Sequence, residues 1–159
     1  MSITYDPTDR AGRPVTLHAV DADNWRAVAD RAPRDDQRDR VLAPAARYLV
    51  LTSREDTWNS LAVLAGDQVT GHIMWARDED GSHWLGGMLI DASHQGRGIG
   101  AAAVRTLTTW LSDREGHPPV RLSCTPSNEA AAHLYARLGF RLTGVEEDGE
   151  VVAEWAGAG

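Results

Sequence analysis

The chain of 159 residues contains no lysine; all 16 of its basic residues are arginine. A nucleotide loop of the Gly-x-x-x-x-Gly-Lys-Ser/Thr type is therefore excluded, because its lysine makes the contact to the terminal phosphates. One cysteine, Cys124, cannot form an internal disulfide and suits a reducing compartment. No apolar run reaches the ~18 residues of a membrane-spanning helix, so no membrane association is expected. Met1 to Arg10 lack the basic and apolar regions of a signal peptide, and the expected location is cytoplasmic. The six histidines show no His-Glu-x-x-His spacing, so no metal is expected. Net charge is −7, and no basic stripe carries interleaved aromatics, which excludes nucleic acid as a partner.

Hydrophobic content of 42% is ordinary for a globular chain of this size. An acidic surface favours encounter with cationic molecules such as polyamines or aminoglycosides. Acidity also serves solubility alone, so it ranks acceptors without naming one.

The most informative segment is Gln95-Gly96-Arg97-Gly98-Ile99-Gly100. It follows an apolar run, Leu85 to Ile90, and opens an apolar-periodic stretch, Ala101 to Leu111. A strand thus runs through a glycine turn into a helix. Glycines at alternate positions remove side chains from the turn, and the helix dipole lies behind its N–H groups. Together they suit a phosphate or pyrophosphate. A dinucleotide-binding Gly-x-Gly-x-x-Gly turn does not fit, because here the pattern is Gly-x-Gly-x-Gly and falls late in the chain.

Gln-Gly-x-Gly-x-Gly between strand and helix resembles the acyl-CoA loop of the GNAT superfamily of N-acetyltransferases. A second block, Asn128, Ala130, Leu134, Tyr135, Gly139 and Phe140, resembles that family's Asn-x-x-Ala…Leu-Tyr-x-x-x-Gly-Phe motif. The likeness covers roughly Val15 to Trp155. The ending Asp148–Ala153 is similar to that of bacterial spermine/spermidine-type acetyltransferases.

The resemblance implies an α/β fold: a mixed, mostly antiparallel sheet of six to seven strands, flanked by about four helices and splayed at a cofactor cleft. A loose tail, 1–14, is expected before a single domain, 15–155. The implied activity is transfer of an acetyl group from acetyl-CoA directly to a small primary amine, a polyamine or an amine-bearing antibiotic or metabolite. A protein or peptide amine is the alternative acceptor, and a non-catalytic acyl-CoA sensor the alternative function. A homodimer is left open.

The resemblance also assigns roles. Gln95, Gly96, Arg97, Gly98, Ile99 and Gly100 surround the pyrophosphate, with Arg97 adding charge. Met88, Leu89 and Ile90 line the pantetheine arm. Tyr135 protonates the departing thiolate. Asn128, two helical turns earlier on the same face, contacts ligand or caps its helix. Asp35, Asp36, Asp39 and Trp84 are acceptor-side candidates, as are the tryptophans Trp25, Trp58 and Trp75. Family members often carry a glutamate on the strand before the loop. Trp84, Gly86 and Met88 stand there instead, and none takes a proton. His72, Asp35, Asp36, Glu146 and Glu154 remain as candidate bases. Gly86-Gly87 reads either as room for an acceptor or as a β-bulge.

Overall fold

A computed structural model describes residues 1–5, 7–37 and 45–157. Asp39, an acceptor-side candidate, lies outside the described residues.

The strands are β1 (Ser2–Ile3), β2 (Val15–Ala19), β3 (Trp58–Ala65), β4 (Gln68–Arg77), β5 (His83–Ile90), β6 (Val120–Cys124), β7 (Phe140–Glu147) and β8 (Glu150–Trp155). The helices are α1 (Trp25–Ala29), α2 (Ala46–Arg54), α3 (Ile99–Ser112) and α4 (Glu129–Arg137). The strands form one sheet in the order β1-β2-β3-β4-β5-β6-β8-β7. Every pairing is antiparallel except β5 with β6.

Side chains alternating across the strands feed two cores. On one face Leu17, Leu61, Val63 and Ile73 meet Ile99, Ala103, Leu107 and Leu111 of α3, with Tyr135 and Leu138 packed against them. On the other, Ala62, Met74 and Leu89 meet Val28 of α1 and Tyr48 of α2. The Gly66-Asp67 and Asp148-Gly149 turns close the β3–β4 and β7–β8 hairpins. In the latter both residues have positive φ, 50° and 80°, which a type I′ turn requires.

Two expectations are corrected, and one open alternative is resolved. The segment 1–14 is not a loose tail: Ser2 and Ile3 pair with His18 and Leu17, and Ile3 is 2% exposed. This short edge strand raises the sheet to eight. Trp25, an acceptor-side candidate, stands away from the cleft described below: it is 43% exposed, with the Arg26 guanidinium 4.5 Å above its ring. Gly86-Gly87 forms a bulge: His72 and Met74 pair with Leu89 and Gly86, so β5 carries one extra residue. Gly87 has φ +56°, and a side chain at Gly86 would meet the Trp58 ring at 3.0 Å. The space that the glycines vacate is filled by Trp58 and Met74.

The sheet opens where β5 and β6 part. They pair only at His83–Val120 and Trp84–Arg121. Past that point β6 follows β8 while β5 bulges, and a cleft runs between them to the N-terminus of α3.

Candidate active site

The cleft has a volume of about 880 Å³. It follows β5 from Trp84 through Met88, Leu89 and Ile90, and ends at the glycine turn. Gly96 and Gly98 have φ of 76° and 80°, left-handed values that glycine adopts without strain. Gly98 occupies the N-cap of α3, and no side chain caps that helix. Among the described residues, no acceptor meets the N–H groups of Gly96, Arg97 or Gly98. A helix start with unpartnered amides at the end of a cleft is the arrangement that takes a phosphate.

The Gln95 side chain ties the turn down rather than reaching a ligand. Its Nε2 donates to Ile90 O at 2.9 Å and to Gln37 Oε1 at 2.8 Å. Gly98, Ile99 and Gly100 line the cleft, but Arg97 does not. The arginine beside the loop is Arg10, in the segment expected to be loose. Its backbone N–H donates to Arg97 O at 2.7 Å and its Nη1 to Gly96 O at 3.1 Å. No local sequence signal announces it, since the contact spans 86 positions.

Tyr135 and Asn128 both line the cleft from the α4 side. The Asn128 side chain accepts from Ala131 N at 3.3 Å, so its capping role is real. The Tyr135 ring packs edge-on against Phe140, with centroids 6.0 Å apart. Burial, then the neighbouring Cys124 and Tyr48, push its phenol up to about 12. Cys124 is half-buried and also lines the cleft. Burial and Glu150 raise its thiol.

At the other end stand Tyr48, Trp58 and Trp84, with Asp78, Glu147 and Glu150 as the acidic lining. Trp84 lines the cleft, its Nε1 donating to Ser82 Oγ at 3.2 Å. Trp75 is not: it packs edge-on to Trp110, 5.4 Å away, under α3. Glu150 Oε2 accepts from Ser123 Oγ at 2.6 Å.

Asp35 and Asp36 do not line the cleft; their segment contributes Pro33, Arg34 and Gln37. Asp36 instead pairs with Arg34 at 3.2 Å. Glu154 pairs with Arg121 at 2.8 Å, and Glu146 is exposed on β7; neither lines the cleft. His72 is fully buried beneath the bulge. Its Nδ1 bonds Gly87 O at 2.8 Å, its Nε2 bonds Ser60 Oγ at 2.9 Å, and its ring stacks 5.1 Å from Tyr48. Burial lowers its pKa to about 4. A weak base sealed on both nitrogens is a structural pin. Among the described residues no three His, Cys, Asp or Glu side chains form a metal-sized group, and no helix is long and apolar enough to cross a membrane.

The mycothiol acetyltransferase of Salinispora arenicola (strain CNS-205) is 33% identical over 144 residues, 84% of this chain and 44% of that protein. The spermine/spermidine N(1)-acetyltransferase of Bacillus subtilis (strain 168) is 34% identical over 79 residues, 47% of this chain and 52% of that protein. The chain therefore spans about half the length of the curated relatives it matches. Among solved structures, the GNAT domain of S. lividans PAT superposes with a TM-score of 0.74 at 17% identity, covering 96% of both chains. Mycobacterium smegmatis RimJ, in complex with CoA-disulfide, gives a TM-score of 0.70 at 16% identity, covering 92% of this chain and 83% of that one. The model of the Acetyltransferase (GNAT) family matches residues 16–140, most of the chain, and the chain belongs to that family.

Proposed function

We propose that this chain is an acetyl-CoA-dependent N-acetyltransferase that acts on a small cationic amine by direct transfer. One observation carries the reading: the unpartnered amides of the glycine turn and the Tyr135 phenol open onto one cleft between the parted strands. The donor set fits the cofactor, with amides for phosphate and the apolar edge of β5 for an extended arm.

When bound, acetyl-CoA would supply an acetyl thioester whose C–S bond breaks as the C–N bond forms to an unprotonated nitrogen of the amine; that nitrogen sheds one proton and the departing thiolate takes one up. The rest falls to the chain. The glycine turn holds phosphate, and β5 orients the arm along Met88, Leu89 and Ile90. Tyr135 aims its O–H at the departing sulfur. A phenol raised to about 12 stays protonated, and its phenolate is a stronger base than an ordinary thiolate, of pKa ~8.5. It therefore serves first as a hydrogen-bond donor, and a cationic acceptor beside it favours completing the proton transfer. Arg77 offsets Asp78 beside it, Glu147 and Glu150 supply the negative charge at the acceptor end, and Tyr48, Trp58 and Trp84 offer aromatic faces to an ammonium. The lone thiol suits the cytoplasm, where we place the activity.

Thiol release from acetyl-CoA against spermidine, spermine, diamines, aminoglycosides, amino acids and a peptide tests the reading. Saturable turnover with a cationic small amine is the expected result. Turnover with the peptide alone would overturn the acceptor class. A sensor without catalysis draws support from Trp84, Gly86 and Met88, which leave β5 without a carboxylate. Acetyl-CoA binding with silence across the panel would favour it.

A further inference from the structure

Residues 8–14 close a tight loop beside the glycine turn. The Asp9 side chain at its centre is fully buried. Its carboxylate accepts from Ala11 N at 2.9 Å, Arg13 N at 2.9 Å and Arg13 Nε at 2.8 Å. Asp9 N donates to Arg13 O at 2.9 Å, and Thr8 bridges to Pro14. A loop bonded this fully has few alternatives, so the residue at its tip is held in place. That residue is Arg10.

Arg10 grips the glycine turn by two carbonyls, those of Gly96 and Arg97. A trans peptide points its N–H opposite to its carbonyl. Holding these two carbonyls therefore turns the N–H groups of Arg97 and Gly98 the other way. Those amides have no acceptor among the described residues. The fit is close: a side chain on Gly98 would meet Arg10 Cγ at 3.3 Å. A guanidinium carries five N–H donors, and Arg10 uses one of them here, on Nη1. The side chain also lines the cleft.

We propose that Arg10 positions the glycine turn and binds a phosphate of the CoA moiety, so that residues 8–14 are part of the cofactor site. The proposal rests on the cofactor reading above and extends it to a segment outside the family match, which begins at residue 16. An arginine suits this double task where a lysine does not, because its rigid fork can hold a carbonyl and an anion together.

Calorimetric titration with CoA, dephospho-CoA and pantetheine tests it, on wild type, Arg10→Gln and Arg10→Lys. Dephospho-CoA lacks the 3′-phosphate, and pantetheine lacks every phosphate. Arg10→Gln is expected to weaken CoA by about tenfold, the loss of one charge-assisted contact. It leaves pantetheine within about twofold and makes CoA binding less sensitive to salt. Arg10→Lys recovers part of the loss. An equal loss with dephospho-CoA assigns the contact to the pyrophosphate, and a loss confined to CoA assigns it to the 3′-phosphate. Unchanged CoA affinity in Arg10→Gln overturns the proposal. So does a loss shared equally by pantetheine, which marks a collapsed turn instead of a missing phosphate contact. A wild type that binds none of the three removes the cofactor reading itself, and this proposal with it.

Discussion

The two ends of the cleft are built from different materials. At the α3 end the working groups are backbone amides, exposed by Gly96 and Gly98 in left-handed conformations. At the other end they are side chains, namely Tyr48, Trp58, Trp84, Glu147 and Glu150, brought from α2, β3, β5 and the β7–β8 hairpin. Backbone chemistry depends on local φ and ψ, so a short run of sequence specifies it. Side-chain chemistry depends on which elements the topology brings together. The first end should fail when a glycine gains a side chain, and the second when a side chain loses one functional group.

The largest effect is expected from Tyr135→Phe. Loss of a positioned proton donor costs about 10²–10⁴ in rate. The predicted result is a fall in kcat of at least ~10², with the Kd for acetyl-CoA unchanged within about twofold. Because burial raises the Tyr135 phenol to about 12, wild-type kcat should not fall as pH rises through 10. Steady-state kinetics across pH 7–11 check both points. An unchanged kcat in Tyr135→Phe would show that the α4 side chain shapes the cleft without taking part in the chemistry.

Gly98→Val is the matching change at the backbone end. A β-branched residue at φ 80° is strained by ~1–2 kcal/mol or more, and its Cβ would press on Arg10 Cγ. Acetyl-CoA affinity should fall by more than ~10-fold by calorimetry, while Tm drops by a few degrees. Affinity equal to wild type would mean that the turn's amides do not hold the phosphate.

This division also explains what the sequence discloses. The glycine turn, the Asn128–Tyr135 face and the Asp148-Gly149 hairpin are contiguous patterns, and the structure has the elements where those patterns indicate. Trp84 lines the cleft beside the point where β5 and β6 part. Asp35 and Asp36 are acceptor-side candidates only by family resemblance, and the dense charge around them does not distinguish a solvated ion pair such as Arg34–Asp36 from a pocket wall. Glu150 and Asp78 were missed because their approach depends on how β5, β6 and β8 part. Ile3 sits in a two-residue strand, too short to show alternation, and Arg10 acts across 86 positions. The sequence offers His72 as a base, because it cannot show that both its nitrogens are bonded under a bulge.

The bulge joins the two ends, and His72 pins it. An unfolded imidazole titrates near ~6.5, whereas in the fold His72 titrates at about 4. Between these values the unfolded chain binds the extra proton. Stability is therefore fully present above pH 6.5 and is lost as pH falls toward 4, by about 3 kcal/mol. Urea unfolding at pH 7.0 and 4.5 should show most of this drop, about 2 kcal/mol, in wild type and a much smaller one in His72→Leu. That variant should also be less stable at pH 7, because Gly87 O and Ser60 Oγ lose their partner. Equal pH slopes in the two proteins would mean that the imidazole is protonated in the fold.

The smallest predicted effect is the sharpest test of the acceptor end. Glu150 is half-buried beside Ser123 and Cys124, and Glu150→Gln keeps its shape while removing its charge. Partly exposed charge pairs contribute about 0.2–1 kcal/mol, so KM for a polyamine should rise only about two- to fivefold. The increase should shrink in high salt, where the Debye length is ~3 Å. The Kd for acetyl-CoA should not move, since the phosphate end is built from the backbone and Arg10. A neutral amine used as acceptor should show no change in KM. If KM rises equally for charged and neutral amines, Glu150 acts by shape or by its bond to Ser123. The acidic lining would then no longer account for a preference for cations, and aromatic faces would have to supply it.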